Sequence, residues 1–286
     1  MHPITTGSLP TGYSCSSTLP SYRHGHRCDP VYLPHVLQDV EWPQLHPIEP
    51  RELLLRKRRE RRCHIKRLRL VILPPPLRTY LAKKRLDVAL ARVRSANPAA
   101  TFVVKYLPYQ LYPEASKEGE DKYAWYMASK YGGSEERMKM YTTLMAAYGV
   151  GVGIDFKFGG TVANTLDAHR LVQHYQSRRG PACADALINS LYRQYFEEER
   201  HPSSPQTLLT AAQEAGIDEK EARAFIEDEY EGLQDVKMLV REQAGNGVDA
   251  VPYVVLEGRR RDFTLQGAKE VDEYVKTLEQ VVKESG

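Results

Sequence analysis

Cysteine is scarce in this chain: four in 286 residues, at Cys15, Cys28, Cys63 and Cys183. No two are spaced as C-x-x-C, so the sequence writes neither a disulfide framework nor a local redox pair. Cys15 and Cys28, with His24 and His26 between them, fit no common zinc spacing, and no metal site is expected. So few thiols suit a reducing compartment, and the expected location is the cytoplasm. Long apolar runs are missing too. No window approaches the roughly 18 consecutive apolar residues that a membrane-spanning helix needs. Met1 to Pro20 is rich in Ser, Thr, Pro and Gly and lacks the charged and apolar regions of a secretory signal. The arginine cluster comes only after residue 50, too late for a mitochondrial leader. Net charge is nearly absent, at +3, but this hides an asymmetry. Residues 1–74 hold 12 basic against 6 acidic side chains, and residues 75–286 hold 28 against 31. The larger part is mildly acidic, which removes the electrostatic basis for nucleic-acid binding by the whole protein.

What is present divides near Tyr80. Eleven of the 18 prolines fall within residues 1–76, mixed with Ser, Tyr and His and without periodicity. Such a stretch cannot offset the entropy of ordering, so residues 1–50 are expected to be disordered, within an N-terminal extension spanning 1–64. Arg51 to Arg69 carries ten basic residues and reads first as a solvated charged helix; an import patch or RNA-contacting arm are the alternatives. Leu68 to Leu73 is an apolar run stopped by Pro74-Pro75-Pro76, the pattern of a buried strand. Tyr80 to Val93 is an amphipathic helix, broken by Ser95 to Pro98, and Thr101 to Leu107 is a β-branched and aromatic strand. Helix-period segments then follow at 121–131, 134–148, 165–178, 182–199, 205–215, 218–227 and 232–244. Strands return at Pro252 to Leu256 and Arg261 to Leu265, joined as a hairpin, before a closing helix from Gly267 to Val282. With 42% apolar residues there is material for a sizeable core. The order is β-α-β, about a hundred helical residues, then α-β-β-α: an α/β thioredoxin-like fold with a large all-helical insertion at about 110–230.

Several motifs carry a family resemblance. They are Tyr80-Leu-Ala-Lys-Lys-Arg-Leu-Asp87, Phe156-Lys-Phe-Gly-Gly160, Asn164-Thr-Leu-Asp-Ala-His-Arg-Leu171, Tyr195-Phe196, Leu208 with Ala215-Gly-Ile-Asp218, and Gly247-Val-Asp-Ala-Val-Pro-Tyr253. In this order, over residues 80–283, the chain resembles the DsbA-like thioredoxin family, in the branch of FrnE-type oxidoreductases and glutathione-dependent 2-hydroxychromene-2-carboxylate isomerases. The resemblance makes residues 65–286 the family's domain. It implies a cleft that accepts a peptide or glutathione, with glutathione a possible co-substrate rather than a bound cofactor. It also implies a C-x-x-C pair at the junction of first strand and first helix, where the helix N-terminus stabilises a thiolate. Opposite it belongs a cis-proline whose preceding residue pairs with substrate backbone, matched by Val251-Pro252. Tyr80, Asn164, His169, Val251 and Pro252 are therefore the expected substrate-binding residues.

The departure is at the thiols. In register with Tyr80, the family's two cysteines fall at Pro76 and Thr79. Proline cannot be a nucleophile, and Thr79 is expected to cap the helix that follows. Dithiol chemistry is therefore not expected at this site, and no catalytic residue is assigned. Cys183, alone on a helix of the insertion, reads as a small buried hydrophobe. Asn164 is read either as lining the cleft or as a helix cap. His169 is read either as lining the cleft or as satisfying a buried carbonyl. Three functional readings stand side by side: a thiol-disulfide oxidoreductase or glutathione-linked isomerase by family, inactive as written; a thioredoxin-fold binding module without redox chemistry; and a chain whose residues 1–79 do not represent the protein's real N-terminus, through a retained intron or misplaced start.

Overall fold

A computed structural model of the chain describes residues 65–71 and 77–285, and the statements below concern those residues. The expectations for residues 1–64, including Cys15, Cys28, Cys63, His24 and His26, lie outside them, as does Pro76.

Strand β1 (Ile65–Val71) begins three residues before the expected run. Its alternation explains the shift: Lys66, Leu68 and Leu70 turn inward while Arg67 and Arg69 face out. For Lys66, Arg67 and Arg69 this corrects the reading of the basic segment as a helix; its other seven basic residues lie outside the described residues. Residues 65–71 occupy the centre of the sheet. Helix α1 (Leu77–Ala96) leads to β2 (Thr101–Leu107), which pairs with β1 in parallel. A parallel pair requires a crossover, and α1 supplies it. Far along the chain, β5 (Tyr253–Glu257) pairs antiparallel with β1, and β6 (Asp262–Gln266) pairs antiparallel with β5. The sheet order is β2-β1-β5-β6.

Leu68, Leu70, Val254 and Leu256 cover the inner face, where α1 and the closing helix α9 (Val271–Ser285) pack together. Each fully buried large apolar side chain here contributes about 1.5–3 kcal/mol.

The insertion carries α2 (Lys122–Tyr131), α3 (Glu135–Val150), α4 (Leu166–Arg179), α5 (Pro181–Phe196), α6 (Pro205–Glu214) and α7 (Glu219–Glu227). It leads into α8 (Leu233–Gly245). The starts are set by side-chain caps. Asp121 accepts from the Ala124 amide at 2.8 Å, and Asp218 from Lys220 and Glu221 at 3.0 and 3.1 Å. A two-residue ribbon interrupts the helices: β3 (Glu120–Asp121) pairs antiparallel with β4 (Thr161–Val162).

The insertion docks on the edge strand. The Gln176 carboxamide accepts from the Tyr106 amide and donates to its carbonyl, both at 2.8 Å, so one side chain imitates a neighbouring strand. Arg170, 2% exposed, gathers the end of α7 and the turn into α8. Its guanidinium donates to the carbonyls of Asp228 (2.7 Å), Glu231 (3.2 Å) and Phe225 (3.5 Å), and it stacks 5.0 Å from the Phe225 ring. Replacing Arg170 by methionine keeps the buried stem and removes these charge-assisted bonds. The substitution is expected to cost roughly 2–4 kcal/mol, read as a lower midpoint in urea unfolding.

Candidate functional site

The sheet register fixes where a site of this fold lies. Val71, the last residue of β1, is paired with Leu107 on one side and Tyr253 on the other. The end of β1 therefore lies between the end of β2 at Leu107, which leads into Pro108 and Tyr109, and the start of β5 at Tyr253, which follows Val251-Pro252. The Val251-Pro252 peptide is cis, as expected. Pro252 is buried and its carbonyl accepts from the Gly267 amide at 2.9 Å; Val251 is half-buried against Leu107, Val248 and Tyr109. Asp249 anchors the loop. Its backbone carbonyl accepts from the Tyr109 hydroxyl at 2.9 Å, and its carboxylate accepts from Gln266 at 3.2 Å. Tyr109, Asp249 and Gln266 escaped the sequence reading. Only the position of Tyr109 directly after Pro108 at a strand end hinted at such a role.

Thr79 is not the N-cap. Helix α1 is already in place at Leu77, which puts Thr79 inside its first turn, fully buried and in contact with the Tyr192 hydroxyl. Tyr80 faces the core rather than a cleft, at 2% exposure. Its ring stacks on Phe196 (5.7 Å, 14°) and meets Phe156 edge-on (6.1 Å). Its hydroxyl donates to Glu197 at 2.6 Å, and burial with that carboxylate raises its pKa.

Asn164 spends its whole amide internally. Its oxygen accepts from Leu166 N–H (2.9 Å) and Gln110 (3.1 Å), and its nitrogen donates to the carbonyls of Pro113 (2.9 Å) and Ala115 (3.3 Å). It caps α4 and ties the 110–115 segment to it. His169 lies one turn further, on the inward face shared with Thr165, and is fully buried. Neither ring nitrogen has a partner of hydrogen-bond geometry, although the Tyr109 backbone is close enough to act on the ring. Without a full partner for the imidazolium, desolvation pushes the His169 pKa down to about 3. The ring sits neutral against the Tyr109 backbone, whose hydrogen bond is the one influence that raises its pKa, in keeping with the reading in which His169 satisfies a buried carbonyl. The structure thus joins His169, Tyr109, Asp249 and Val251 into one connected corner, and places Tyr80 and Asn164 in structural roles.

Lys122 is a second residue the sequence did not single out. Buried at the start of α2, it donates to the Tyr195 carbonyl at 3.3 Å, lies 4.5 Å from that ring, and shares a narrow cavity with Leu77 and Tyr126. Burial lowers its pKa to about 8. Cys183 is half-buried on α5 among core side chains, and burial pushes its thiol pKa up, opposite to an activated nucleophile. Among the described residues no group of His, Cys, Asp and Glu is placed to hold a metal. Two clefts, of about 580 and 440 Å³, lie against β2 and α8 around Lys105 and Leu239, and one of about 540 Å³ lies around Arg259 and Gln280; Pro252 lines none of them.

The profile of the DSBA-like thioredoxin domain matches residues 79–279. The chain belongs to that family. Comparison with curated proteins finds no match. Among solved structures, the DsbA-like chain is similar to a probable DsbA oxidoreductase from Streptomyces coelicolor, at 25% identity and TM-score 0.67 over 77% of this chain and 91% of that one. It shares its fold with a 2-hydroxychromene-2-carboxylate isomerase (15%, TM-score 0.53, 76% and 94%). The same holds for a cytosolic disulfide reductase from Pseudomonas aeruginosa (16%, TM-score 0.53, 76% and 98%). No helix among the described residues is long and apolar enough to cross a membrane.

The His169 environment gives a pH signature. Its folded pKa, about 3, lies below the ordinary 6.5, so the unfolded chain binds the proton first. The stability from this site is complete above pH 6.5 and falls by up to about 1.4 kcal/mol per pH unit as pH drops towards 3. The expected outcome is a His169 imidazole resonance that does not shift between pH 8 and 5. His169→Gln should flatten the acid limb of stability measured by urea unfolding.

Proposed function

We propose that this DsbA-like chain is a binding module on an oxidoreductase scaffold: it accepts a cysteine-containing peptide or glutathione beside Pro252 but does not turn over disulfides. The reading rests on one observation, that the positions in register with the family's two cysteines are Pro76 and Thr79. A disulfide is reduced when a thiolate attacks one sulfur, forms a mixed disulfide and expels the other sulfur as a thiolate. A second thiol then resolves the mixed disulfide. Neither Pro76 nor Thr79 supplies a sulfur for either step. The cis-proline loop supports retained binding: Val251 keeps a backbone N–H and C=O beside a proline held by Gly267, and Tyr109 and Gln266 brace the loop at Asp249. A cytoplasmic, reducing setting fits the scarcity of cysteine and the supply of glutathione. The protein is then a pseudoenzyme of its family.

Two measurements test this. With dithiothreitol as reductant, the wild type should reduce insulin no faster than its Cys183→Ser variant. Reduced glutathione, or a cysteine-containing peptide, should bind in titration calorimetry, and Val251→Pro, which removes the N–H at that position, should weaken binding by about tenfold or more. Wild-type turnover above the Cys183→Ser control, or failure to bind either probe, overturns the reading. The Pro76→Cys/Thr79→Cys pair should in turn gain insulin reductase activity. Its second thiol would occupy the first turn of α1, where the helix dipole favours a thiolate.

A further inference from the structure

Helix α3 carries two separate apolar rows. Met138, Met145 and Gly149 are buried against the core, yet Met140, Leu144 and Tyr148, spaced four residues apart, stand on the outside at 67%, 45% and 43% exposure. Val150 is exposed beside them, and so is Val88 on α1, one turn beyond Arg85, whose guanidinium lies 5.8 Å from the Tyr148 ring. Of seven large apolar side chains exposed among the described residues, these are five. A helix with two apolar rows is one covered along both. Thr143, Ala147 and Gly151, also spaced by four and exposed, run as a row of small residues beside the bulky row. A ridge of large side chains next to a groove of small ones is what two packed helices need from each other.

We propose that this face binds the same face of a second copy of the chain, with the two α3 helices antiparallel across a two-fold axis near Leu144. In that arrangement Leu144 meets its own counterpart and Met140 meets the partner's Tyr148. Each bulky row lies along the other's row of small residues. The charges select a second copy over an unrelated partner. Glu136 and Arg137 at the start of α3 make no ion pair among the described residues, and the last turn of α3 has no basic residue to complement its carbonyls. On α1, beside Arg85, Lys84 makes no salt bridge among the described residues; its ammonium lies 5.5 Å from the Tyr80 ring and acts on the Asp87 carboxylate only at longer range. Antiparallel pairing brings Arg137 to the partner's α3 C-terminus and Glu136 towards the partner's Lys84.

Sedimentation of the full chain tests the proposal. The wild type should be a dimer. Met140→Glu/Leu144→Glu should be a monomer with an unchanged circular dichroism spectrum, because both side chains are exposed. Glu136→Lys and Lys84→Glu should each weaken the dimer by about three- to tenfold, and the two together should restore it. A wild type that stays monomeric at about 100 μM, as it would if a segment of its own chain covered the patch, overturns the proposal. So does a dimer that survives the Met140→Glu/Leu144→Glu change, or a charge exchange that restores nothing.

Discussion

β1 is hydrogen-bonded on both sides to strands distant in the sequence: β2 begins 30 residues after Val71, and β5 begins 182 residues after it. Its two inward leucines, Leu68 and Leu70, meet the layer formed by α1 and α9, so the strand is held by sheet and core at once. The other geometric relations follow from its register. Because Val71 pairs with both Leu107 and Tyr253, the corner after β2 and the cis-proline loop before β5 converge at one end of the sheet. The parallel pairing of β1 with β2 requires α1 as crossover, and α1 in turn covers the leucines that make β1 stable. The order of the sheet and the place of the site are thus a single constraint.

The polar residues of the Asn-Thr…Ala-His-Arg motif act within that frame as fasteners. Asn164 joins α4 to the 110–115 segment, Arg170 joins it to the turn before α8, and His169 faces Tyr109, whose hydroxyl reaches Asp249. The three side chains are within seven residues of one another, yet they touch three separate parts of the molecule. A buried neutral histidine among them keeps the corner free of a charge that would need solvation.

Sequence periodicity located every long element because the core-facing positions of helices such as α5 and strands such as β2 recur without interruption. It misjudged the neighbourhood of β1. There the charged side chains of Arg67 and Arg69 alternate with leucines, and a run of basic residues reads as a solvated helix until a partner strand is known. It also could not find β3 and β4, which are too short to carry a period and exist only because Glu120 and Val162 meet across the insertion. The cis-proline was legible through Gly247 to Tyr253 as a family motif, whereas the support from Tyr109 depends on a contact across 140 residues. Tyr80 is conspicuous in a motif, but nothing local says that Phe156 and Phe196 will enclose it.

The pairing of Gln176 with Tyr106 reaches beyond the docking of one helix. β2 is an edge strand, and an edge offers unpaired amides and carbonyls to any extended chain that drifts past. Gln176 occupies both backbone groups of Tyr106, and Arg94 donates to the Phe102 carbonyl at 3.2 Å, so an incoming strand would find only Val104 between them fully open. One residue is too little to seed the runaway strand addition that leads to aggregates. A single glutamine side chain, set on a helix of the insertion, thereby gives this sheet a finished border.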